Sequence, residues 1–468
     1  MQRSSFWLLL LVTLYVSACA TATREKPAPV DTTPSAAAKP VPAVVPPPPT
    51  EEPVVSVVPP SSVDSTPLPP SDAPLPLADK FAPHIALILP LKSSSASLAL
   101  SANAVQQGFL AAANSLMKEY PVRVYSSTDE GRDVIEHYRQ AIANGALAVA
   151  GPLTRQGATL LAGYSGITVP TLALNFPDQK SDSNKLYFFG LVPETEARQA
   201  AQFAFAAKLR DATIINTGTS LAKRLSVAFS DEWKKLGGNI TAEVLYKESD
   251  DSNVLSNLPT APWLVEPVIE PVTVISESGE IFTIAPKRTG PPPVAPGNVA
   301  FLASDNRQAR LIRPYLNPTL PVYATSQVFN VQSDTLTNYD LNEIRFVDMP
   351  WLLQPDHAAV MVYPKSDTAL DTDRERLYAY GIDSYRILHI LIKNKLKTLP
   401  LDGVTGRIQL VEKNLFHREA VPALFKYGRA LTPEGLIAVE AERAAAKAAE
   451  IATRKAAENP TSTPVPVQ

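Results

Sequence analysis

From residue 84 onward, short apolar runs alternate with longer stretches whose apolar residues recur at helical spacing. The run HIALILPL at 84–91 is almost wholly apolar, which is typical of a strand that is buried in a parallel sheet. In the next stretch, Val105, Phe109 and Ala112 recur every three or four residues and predict a helix. Because strand and helix keep alternating, the sequence predicts an α/β fold with two open parallel sheets flanked by helices.

The alternation occurs in two series, and this predicts two lobes within one folded region at 83–430. We assign lobe 1 to about 83–192 with later crossover segments, and lobe 2 to about 193–320 with part of 350–430. Residues 259–298 break the rhythm: a β-hairpin is predicted at 272–285, with Gly279 in its turn and prolines on both sides. We therefore expect an insertion there. Residues 431–468 are rich in alanine and mixed charge, which predicts an exposed helix that frays into a disordered tail.

The N-terminus has the layout of a secretory signal peptide, expected to span residues 1–18. Arg3 is followed by an apolar run from Phe6 to Val16 and then by small residues. The run is too short to span a bilayer, which takes about 20 residues. Next comes Cys19, the only cysteine of the chain.

Cys19 in this position resembles the lipobox of bacterial lipoproteins, in which the cysteine is acylated and becomes the mature N-terminus. The resemblance implies a lipid anchor on Cys19. Ala20 follows the cysteine where an aspartate would imply retention in the inner membrane, so the resemblance implies the periplasmic face of the outer membrane in a Gram-negative bacterium. The alternative is an ordinary signal peptide with an incidental cysteine.

Residues 19–82, behind that cysteine, contain proline at roughly one position in four and have no apolar periodicity. Such a segment cannot bury enough apolar surface to offset the entropy of ordering, so we expect a disordered linker that holds the folded region away from the membrane. The net charge of the chain is −3, which argues against a nucleic-acid partner because such proteins usually carry a basic surface.

The sequence shows no arrangement of residues that indicates catalysis, a cofactor or a metal site. The motifs HExxH, CxxC and the P-loop are absent, and the five histidines are scattered, at His84, His137, His357, His389 and His417. Asp348, which precedes Met349, Pro350 and Trp351, is expected to have a structural role where the chain crosses between lobes. We therefore predict that the protein is not an enzyme.

A ligand in the cleft between two such lobes would lie beyond the carboxyl ends of the strands. The residues predicted at these ends offer hydroxyl and backbone groups that could line the cleft, but they include no evident acid–base pair to hold an α-amino acid. They are also suited to capping helices, and we favour that interpretation over ligand binding. The candidates are Leu91, Ser93, Ser95, Gly151, Pro152, Thr154, Asn175, Thr217, Ser220, Ser304 and Ser326.

Several phrases give this pattern a more specific resemblance. They are AGPL at 150–153, VPTLALN at 169–175, FGL at 189–191 before PETEARQA at 193–200, YATS at 323–326, DMPW at 348–351 and GIDSYR at 381–386. In this order, and together with the lipobox, they resemble the LppC/LpoA family of penicillin-binding-protein activators over about 84–430. The family resemblance implies a type I periplasmic-binding-protein-like fold.

The same resemblance implies an outer-membrane lipoprotein that binds and stimulates a class A penicillin-binding protein, the synthase that polymerises and crosslinks peptidoglycan. The better-known enterobacterial form carries a helical-repeat domain before this fold, where the present sequence has the proline-rich linker. Two other functions remain as alternatives: a receptor for a small, amino-acid-like molecule in the cleft, and a purely structural linker of the envelope.

Overall fold

The computed structural model describes residues 82–116, 120–247, 269–275, 281–288, 294 and 296–458. The chain divides into two units, 1–72 and 73–468, and every described element belongs to the second. The expected signal peptide, Cys19 and almost all of the linker lie outside the described residues, as does the end of the C-terminal tail from 459 onward.

Sheet 1 forms the centre of lobe 1, and its described strands are all parallel, in the spatial order β2-β1-β3-β4-β5. Its strands are β1 (His84–Leu89), β2 (Val122–Ser126), β3 (Ala146–Ala150), β4 (Thr171–Ala173) and β5 (Leu186–Phe188). The connecting helices are α1 (Ala96–Leu116), α2 (Glu130–Ala143) and α3 (Arg155–Ala162). Every residue of β1 is buried, as the apolar run at 84–91 predicts for a central strand.

Sheet 2 forms the centre of lobe 2. Its parallel strands are β6 (Asp211–Asn216), β7 (Asn239–Leu245), β10 (Asn298–Ala303), β11 (Val322–Ala324) and β12 (Ile344–Asp348). Between β7 and β10 the chain forms a separate hairpin of β8 (Ile269–Ile275) and β9 (Ile281–Arg288). Helices α4 (Pro193–Ala206), α5 (Ser220–Leu236) and α6 (Asn306–Ile312) cover its two faces. These sheet strands are parallel, in the order β12-β11-β10-β6-β7.

The segment from 350 to 431 returns to lobe 1 and then closes sheet 2. It contains the short helices α7 (Pro350–Leu353) and α8 (Ala358–Met361), the long helix α9 (Thr372–Ile392), and strands β13 (Leu401–Asp402), β14 (Arg407–Leu410), β15 (Phe416–Glu419), β16 (Val421–Lys426) and β17 (Arg429–Leu431). Strands β13, β14 and β15 form a separate antiparallel sheet. Strands β16 and β17 extend sheet 2 beyond β12. Strand β16 pairs antiparallel with β12, and β17 pairs antiparallel with β16, so the sheet predicted to be parallel is mixed at this edge.

Two predicted additions to the core are present as secondary structure. Strands β8 and β9 pair antiparallel within the range expected for the insertion, and their turn at 276–280, with Gly279, lies outside the described residues. Helix α10 (Pro433–Glu458) follows β17. Val439 is buried, and from Glu440 to Lys455 the helix is exposed, as its composition indicates.

Helices α1 and α9 cross at two glycines. A β-carbon on Gly108 would lie 1.8 Å from the carbonyl oxygen of Tyr378, and one on Gly381 would lie 2.2 Å from that of Val105. Any larger side chain at either position would therefore force the two backbones apart. This contact holds α9 against lobe 1, although β12 before this segment and β16 after it belong to sheet 2.

No described helix is both long enough and apolar enough to cross a bilayer.

Candidate functional site

The carboxyl edge of sheet 1 is the first place where a cleft ligand could bind. Strands β1 and β3 are neighbours in the sheet. After β1 the chain crosses to β2, on the side of β1 away from β3, and after β3 it crosses to β4, on the side of β3 away from β1. The crossovers thus diverge between β1 and β3, and in open α/β sheets a ligand site lies at such a switch point. The loops concerned are those after β1 and β3, and helix α2, which follows β2, begins beside them.

The side chain of Glu130 occupies this position. Glu130 is the first residue of α2 and is 1% exposed. Its Oε1 accepts a hydrogen bond from the backbone N–H of Leu153 at 3.0 Å, and its Oε2 accepts one from that of Thr154 at 2.6 Å. Burial raises the pKa of Glu130, and the two N–H donors offset that increase only in part. The chain therefore supplies its own carboxylate to the amide groups with which an external anion would pair.

Most candidate residues of lobe 1 support the local structure of these loops. Ser95 Oγ accepts from Leu98 N at 3.4 Å near the start of α1, and Thr154 Oγ1 accepts from Gly157 N at 3.1 Å and caps α3. Ser93 Oγ accepts from Ser95 N at 3.1 Å. Asn175 Nδ2 donates to the carbonyl oxygen of Leu153 at 3.0 Å and so ties the loop after β4 to the loop after β3. Of the remaining candidates here, Leu91 is half-buried, and Gly151 and Pro152 are buried.

The carboxyl edge of sheet 2 keeps a small cavity at the corresponding place. The chain leaves β6 toward β7, whereas β10 leads on to β11 on the other side. A cavity of about 130 Å³ lies there, lined by residues that include Thr219, Ser304 and Gln308. Ser304 is 4% exposed, and its Oγ has no hydrogen-bond partner within the described part of the chain. This edge therefore has room for a small polar group.

The other candidates of lobe 2 have different surroundings. Thr217 Oγ1 donates to the carbonyl oxygen of Ala303 at 3.2 Å, and exposed Ser220 is the first residue of α5, which is capped by Thr219. Ser326 lies deeper, at 2% exposed. Its backbone N–H donates to Glu196 Oε2 at 3.1 Å, which places it among the buried charges at the crossovers between the lobes.

Those crossovers follow β5, β12 and β15, and buried charged residues lie at each of them. At the second, Asp348 Oδ2 lies 2.7 Å from Arg376 Nη2 of α9, and both side chains are buried. Burial alone would lower the pKa of Arg376, but the Asp348 carboxylate raises it above its ordinary value. Arg376 also donates to the carbonyl oxygen of Ser326 at 2.8 Å. Asp348 thus has the structural role expected from the sequence.

The first and third crossovers are joined by a second buried pair, Glu196 of α4 and Arg418 of β15. Arg418 also donates to the carbonyl oxygen of Thr405 at 3.1 Å, and Thr405 N donates to Asp383 Oδ2 of α9 at 2.7 Å. The buried charges thus form a continuous hydrogen-bonded series from sheet 2 through α9 to the small sheet. Because a buried charge that loses its partner is costly, this series should hold the lobes in one arrangement.

A larger polar cavity, of about 420 Å³, lies where α9 begins beside the loops of lobe 2. Its lining includes Asp305, Arg307, Asn330, Asp371 and Arg376. In the described part of the chain, no group of three or more His, Cys, Asp or Glu residues could hold a metal ion. The polar and charged groups of this lining can form hydrogen bonds and ion pairs.

Reasoning from the sequence did not single out Glu130, Arg376 or Arg418, and it named Glu196 and Asp383 only within the phrases PETEARQA and GIDSYR. An acidic residue in the first turn of a helix, such as Glu130 or Glu196, is ordinary because it complements the helix dipole. The local sequence does not distinguish the acidic residues whose side chains are buried from those that face solvent. Their partners lie 23 residues away for Glu130 with Leu153 and 222 residues away for Glu196 with Arg418, so only the folded chain brings them together.

Comparison with solved structures gives the fold type. A structure from Chromobacterium violaceum, described as "a putative branched-chain amino acid ABC transporter", is 32% identical, covers 74% of this chain and all of its own, and has a TM-score of 0.57. The C-domain of LpoA from Haemophilus influenzae, described as a regulator of PBP1A, is 21% identical, covers 75% of this chain and 99% of its own, and has a TM-score of 0.53. The fold is of the periplasmic-binding-protein type, as the sequence resemblance implied.

Comparison with curated sequences identifies the family. The penicillin-binding protein activator LpoA of Pantoea ananatis is 25% identical over 66% of this chain and 47% of its own length, and that of Serratia proteamaculans is 25% identical over 61% and 43%. The chain thus spans about half the length of the curated relatives it matches. The family described as "LppC putative lipoprotein" matches residues 76–263 and 286–428, which leaves out most of the hairpin and all of α10. The chain belongs to the LppC lipoprotein family.

Proposed function

We propose that this protein binds and stimulates a class A penicillin-binding protein from the periplasmic face of the outer membrane, and that it acts as a regulator and not as an enzyme. The observation that carries the proposal is the family match over 76–263 and 286–428. Relatives that match 66% and 61% of this chain are named penicillin-binding protein activators. In this proposal, acylated Cys19 anchors the chain and residues 19–82 span the distance to the synthase.

The carboxyl edge of sheet 1 supports an activator over an amino-acid receptor. A receptor needs donors at this edge for the carboxylate of its ligand, and here Glu130 accepts hydrogen bonds from two of them, Leu153 N and Thr154 N. The buried pairs Asp348–Arg376 and Glu196–Arg418 also favour a body of constant shape over one that opens and closes. A body of this kind is suited to presenting an outer surface to another protein.

The direct test uses the mature lipidated chain in detergent. It is added at increasing concentration to each class A penicillin-binding protein of the same cell, and the rates of glycan polymerisation and peptide crosslinking are measured. We expect a saturable increase for one synthase, and no polymerisation or crosslinking by the chain alone. If every synthase keeps its basal rate while the chain remains folded, the proposal is wrong.

The anchor is tested separately with Cys19→Ser. We expect labelled palmitate to be incorporated into the wild-type chain, which should fractionate with outer membranes, and the variant to lose both properties. Recovery of the wild-type chain with inner membranes would contradict the proposed location, whatever the synthase assay shows.

A second candidate function is the binding of a small polar molecule between the lobes. It is favoured by the cavity of about 420 Å³ at the start of α9 and by the similarity to the Chromobacterium violaceum protein. A thermal-shift screen of amino acids and soluble muropeptides tests it. A ligand whose effect is lost in Asn330→Ala or Arg307→Ala, but kept in the surface variant Lys223→Ala, would support a receptor.

A further inference from the structure

Strand β2 is an edge strand of sheet 1 whose outer side carries no strand in the described part of the chain. Ile85 N donates to the carbonyl oxygen of Pro121 at 2.9 Å, and Ser127 N donates to that of Leu89 at 2.9 Å. In a parallel pair alternate residues point their backbone groups to the same side, so the odd-numbered residues of β2 face β1. The N–H and C=O groups of Val122, Val124 and Ser126 therefore face outward.

The two edges of sheet 1 differ. The outer side of β5 is partly covered, because Phe188 N donates to the carbonyl oxygen of Asn414 at 2.9 Å and Phe188 forms a bridge with Leu415. Proteins usually cover, shorten or charge an edge strand, because an open edge can pair with another chain. In the described chain, β2 has five residues, all of them half-buried, and no such cover.

A cavity of about 380 Å³ lies beside the open edge, between β2, α2 and the loop after β1. Two cations contribute to its lining, Lys92 and Arg123, and no carboxylate does. Tyr125 is held in place there, since its hydroxyl accepts from Asn144 Nδ2 at 3.3 Å. The nearby carboxylate of Asp133 is engaged by Thr128 N at 2.7 Å and faces His137 Nε2 at 3.6 Å. The lining thus offers positive charge and hydrogen-bonding groups next to open backbone positions.

We propose that this edge docks an extended, acidic segment of the partner synthase, which adds to sheet 1 as a strand beside β2. Backbone bonds to Val122, Val124 and Ser126 would supply affinity, and carboxylates facing Lys92 and Arg123 would supply selectivity, as in other cases of strand addition. The inference rests on the proposed function for the identity of the partner. A charged edge that merely prevents aggregation is the competing explanation.

The first variant is Val124→Pro, which removes one outward N–H and places a ring on the edge. Because that N–H does not bond to β1, the substitution is compatible with an edge strand. The matched control is Leu245→Pro on β7, the edge strand of sheet 2. Tyr246 N donates to the carbonyl oxygen of Asn216 at 2.8 Å, so the backbone groups of Leu245 also face outward. Full-length proteins with unchanged circular dichroism are compared by the concentration that gives half-maximal stimulation.

We expect Val124→Pro to raise that concentration at least tenfold and Leu245→Pro to leave it unchanged. Charge reversal gives a second test: Lys92→Glu combined with Arg123→Glu should also raise it at least tenfold, whereas Lys223→Glu on α5 should not. In case a variant fails to fold, amide hydrogen exchange on the wild-type chain provides an independent measurement. Val124 and Ser126 should become protected when the synthase is added.

The outcomes separate this inference from the proposed function. If the wild-type chain stimulates the synthase but neither variant nor exchange shows an effect at β2, only the docking site is wrong. If the wild-type chain binds and stimulates no synthase, both proposals fail. If isolated glycan strands, and not the synthase, protect Val124 and Ser126, the edge binds an anionic glycan and the proposed strand addition is overturned.

Discussion

Glu130 Oε2 lies 2.6 Å from the backbone nitrogen of Thr154, across the switch point of sheet 1. The chain thereby bonds its own carboxylate to backbone N–H groups at the edge of the sheet where a ligand of an open α/β sheet would bind. Because these N–H donors are already bonded to Glu130, they are not available to a ligand carboxylate, which favours an activator over a receptor.

The variant Glu130→Ala should expose these donors and become sensitive to small carboxylates. Leaving buried N–H groups without acceptors should lower the free energy of unfolding by about 1–3 kcal/mol. If acetate enters the vacated space with a dissociation constant of about 10 mM, 100 mM acetate restores about 1.4 kcal/mol. Thermal unfolding of the wild-type chain, of Glu130→Ala and of the exposed α2 control Glu136→Ala with sodium acetate or chloride measures this. An equal acetate effect on all three would contradict the prediction.

Removal of one charge from the Asp348–Arg376 pair should destabilise the whole second unit. Asp348→Asn removes the buried carboxylate that pairs with Arg376 and leaves the exposed Asp373 as its ion-pair partner. Removing one partner of a buried pair typically costs about 3–5 kcal/mol. The control is Asp371→Asn, because Asp371 pairs with Arg374 at the surface and asparagine caps a helix as well as aspartate does. Urea unfolding should show a large fall in midpoint for Asp348→Asn and a small one for Asp371→Asn. Equal midpoints would mean that the buried pair contributes little.

An alanine at the crossing of α1 and α9 should weaken lobe 1. In Gly108→Ala the new methyl group meets the carbonyl oxygen of Tyr378, and in Gly381→Ala it meets that of Val105. Overpacking of this kind typically costs about 1–3 kcal/mol. Gly435→Ala in α10 is the control, since the nearest atom there is 3.5 Å away and alanine favours a helix. Differential scanning calorimetry should show lower Tm values for the first two variants and an unchanged or higher value for the third.

Mild acid should destabilise the protein through two histidines. Burial lowers the pKa of His84, and burial together with the nearby Arg418 lowers the pKa of His417. In the unfolded chain both rings bind protons near the ordinary histidine pKa of about 6.5. The unfolded state thus binds more protons as the pH falls below that value, and the free energy of unfolding decreases. Urea unfolding between pH 8 and pH 5 should show this decrease, and the double variant His84→Gln, His417→Gln should reduce it. An identical pH profile would rule out these two residues as its source.

The fold could be predicted well from the sequence wherever one element shows its own periodicity. The buried run at 84–91 became the fully buried strand β1, and the stretch after Pro193 became helix α4. The direction of β16 could not be predicted. Its residues have the same strand pattern whether the neighbouring strand is parallel or antiparallel, and the direction depends on the path of the chain through α9 and the small sheet.

The candidate site could be predicted only as a set of strand ends. The sequence located Ser95 and Thr154 after β1 and β3, and in the structure both hydroxyls accept hydrogen bonds from backbone N–H groups at helix starts. It did not indicate Ser304, with its buried hydroxyl in a small cavity, as different from Ser220, which lies exposed at a helix start. Both are serines that follow an apolar run, and local sequence carries no measure of how far each is buried.

The sequence by itself determined the succession of strands and helices, the proline-rich composition before residue 83 and the family resemblance, because each depends on residues that are near one another in the chain. Only the tertiary structure decided that Glu130 crosses to the loop after β3, that Glu196 meets Arg418, and that none of the described strands pairs with the outer side of β2. These are contacts, or missing contacts, between distant segments, and they follow from how the two sheets and α9 pack together.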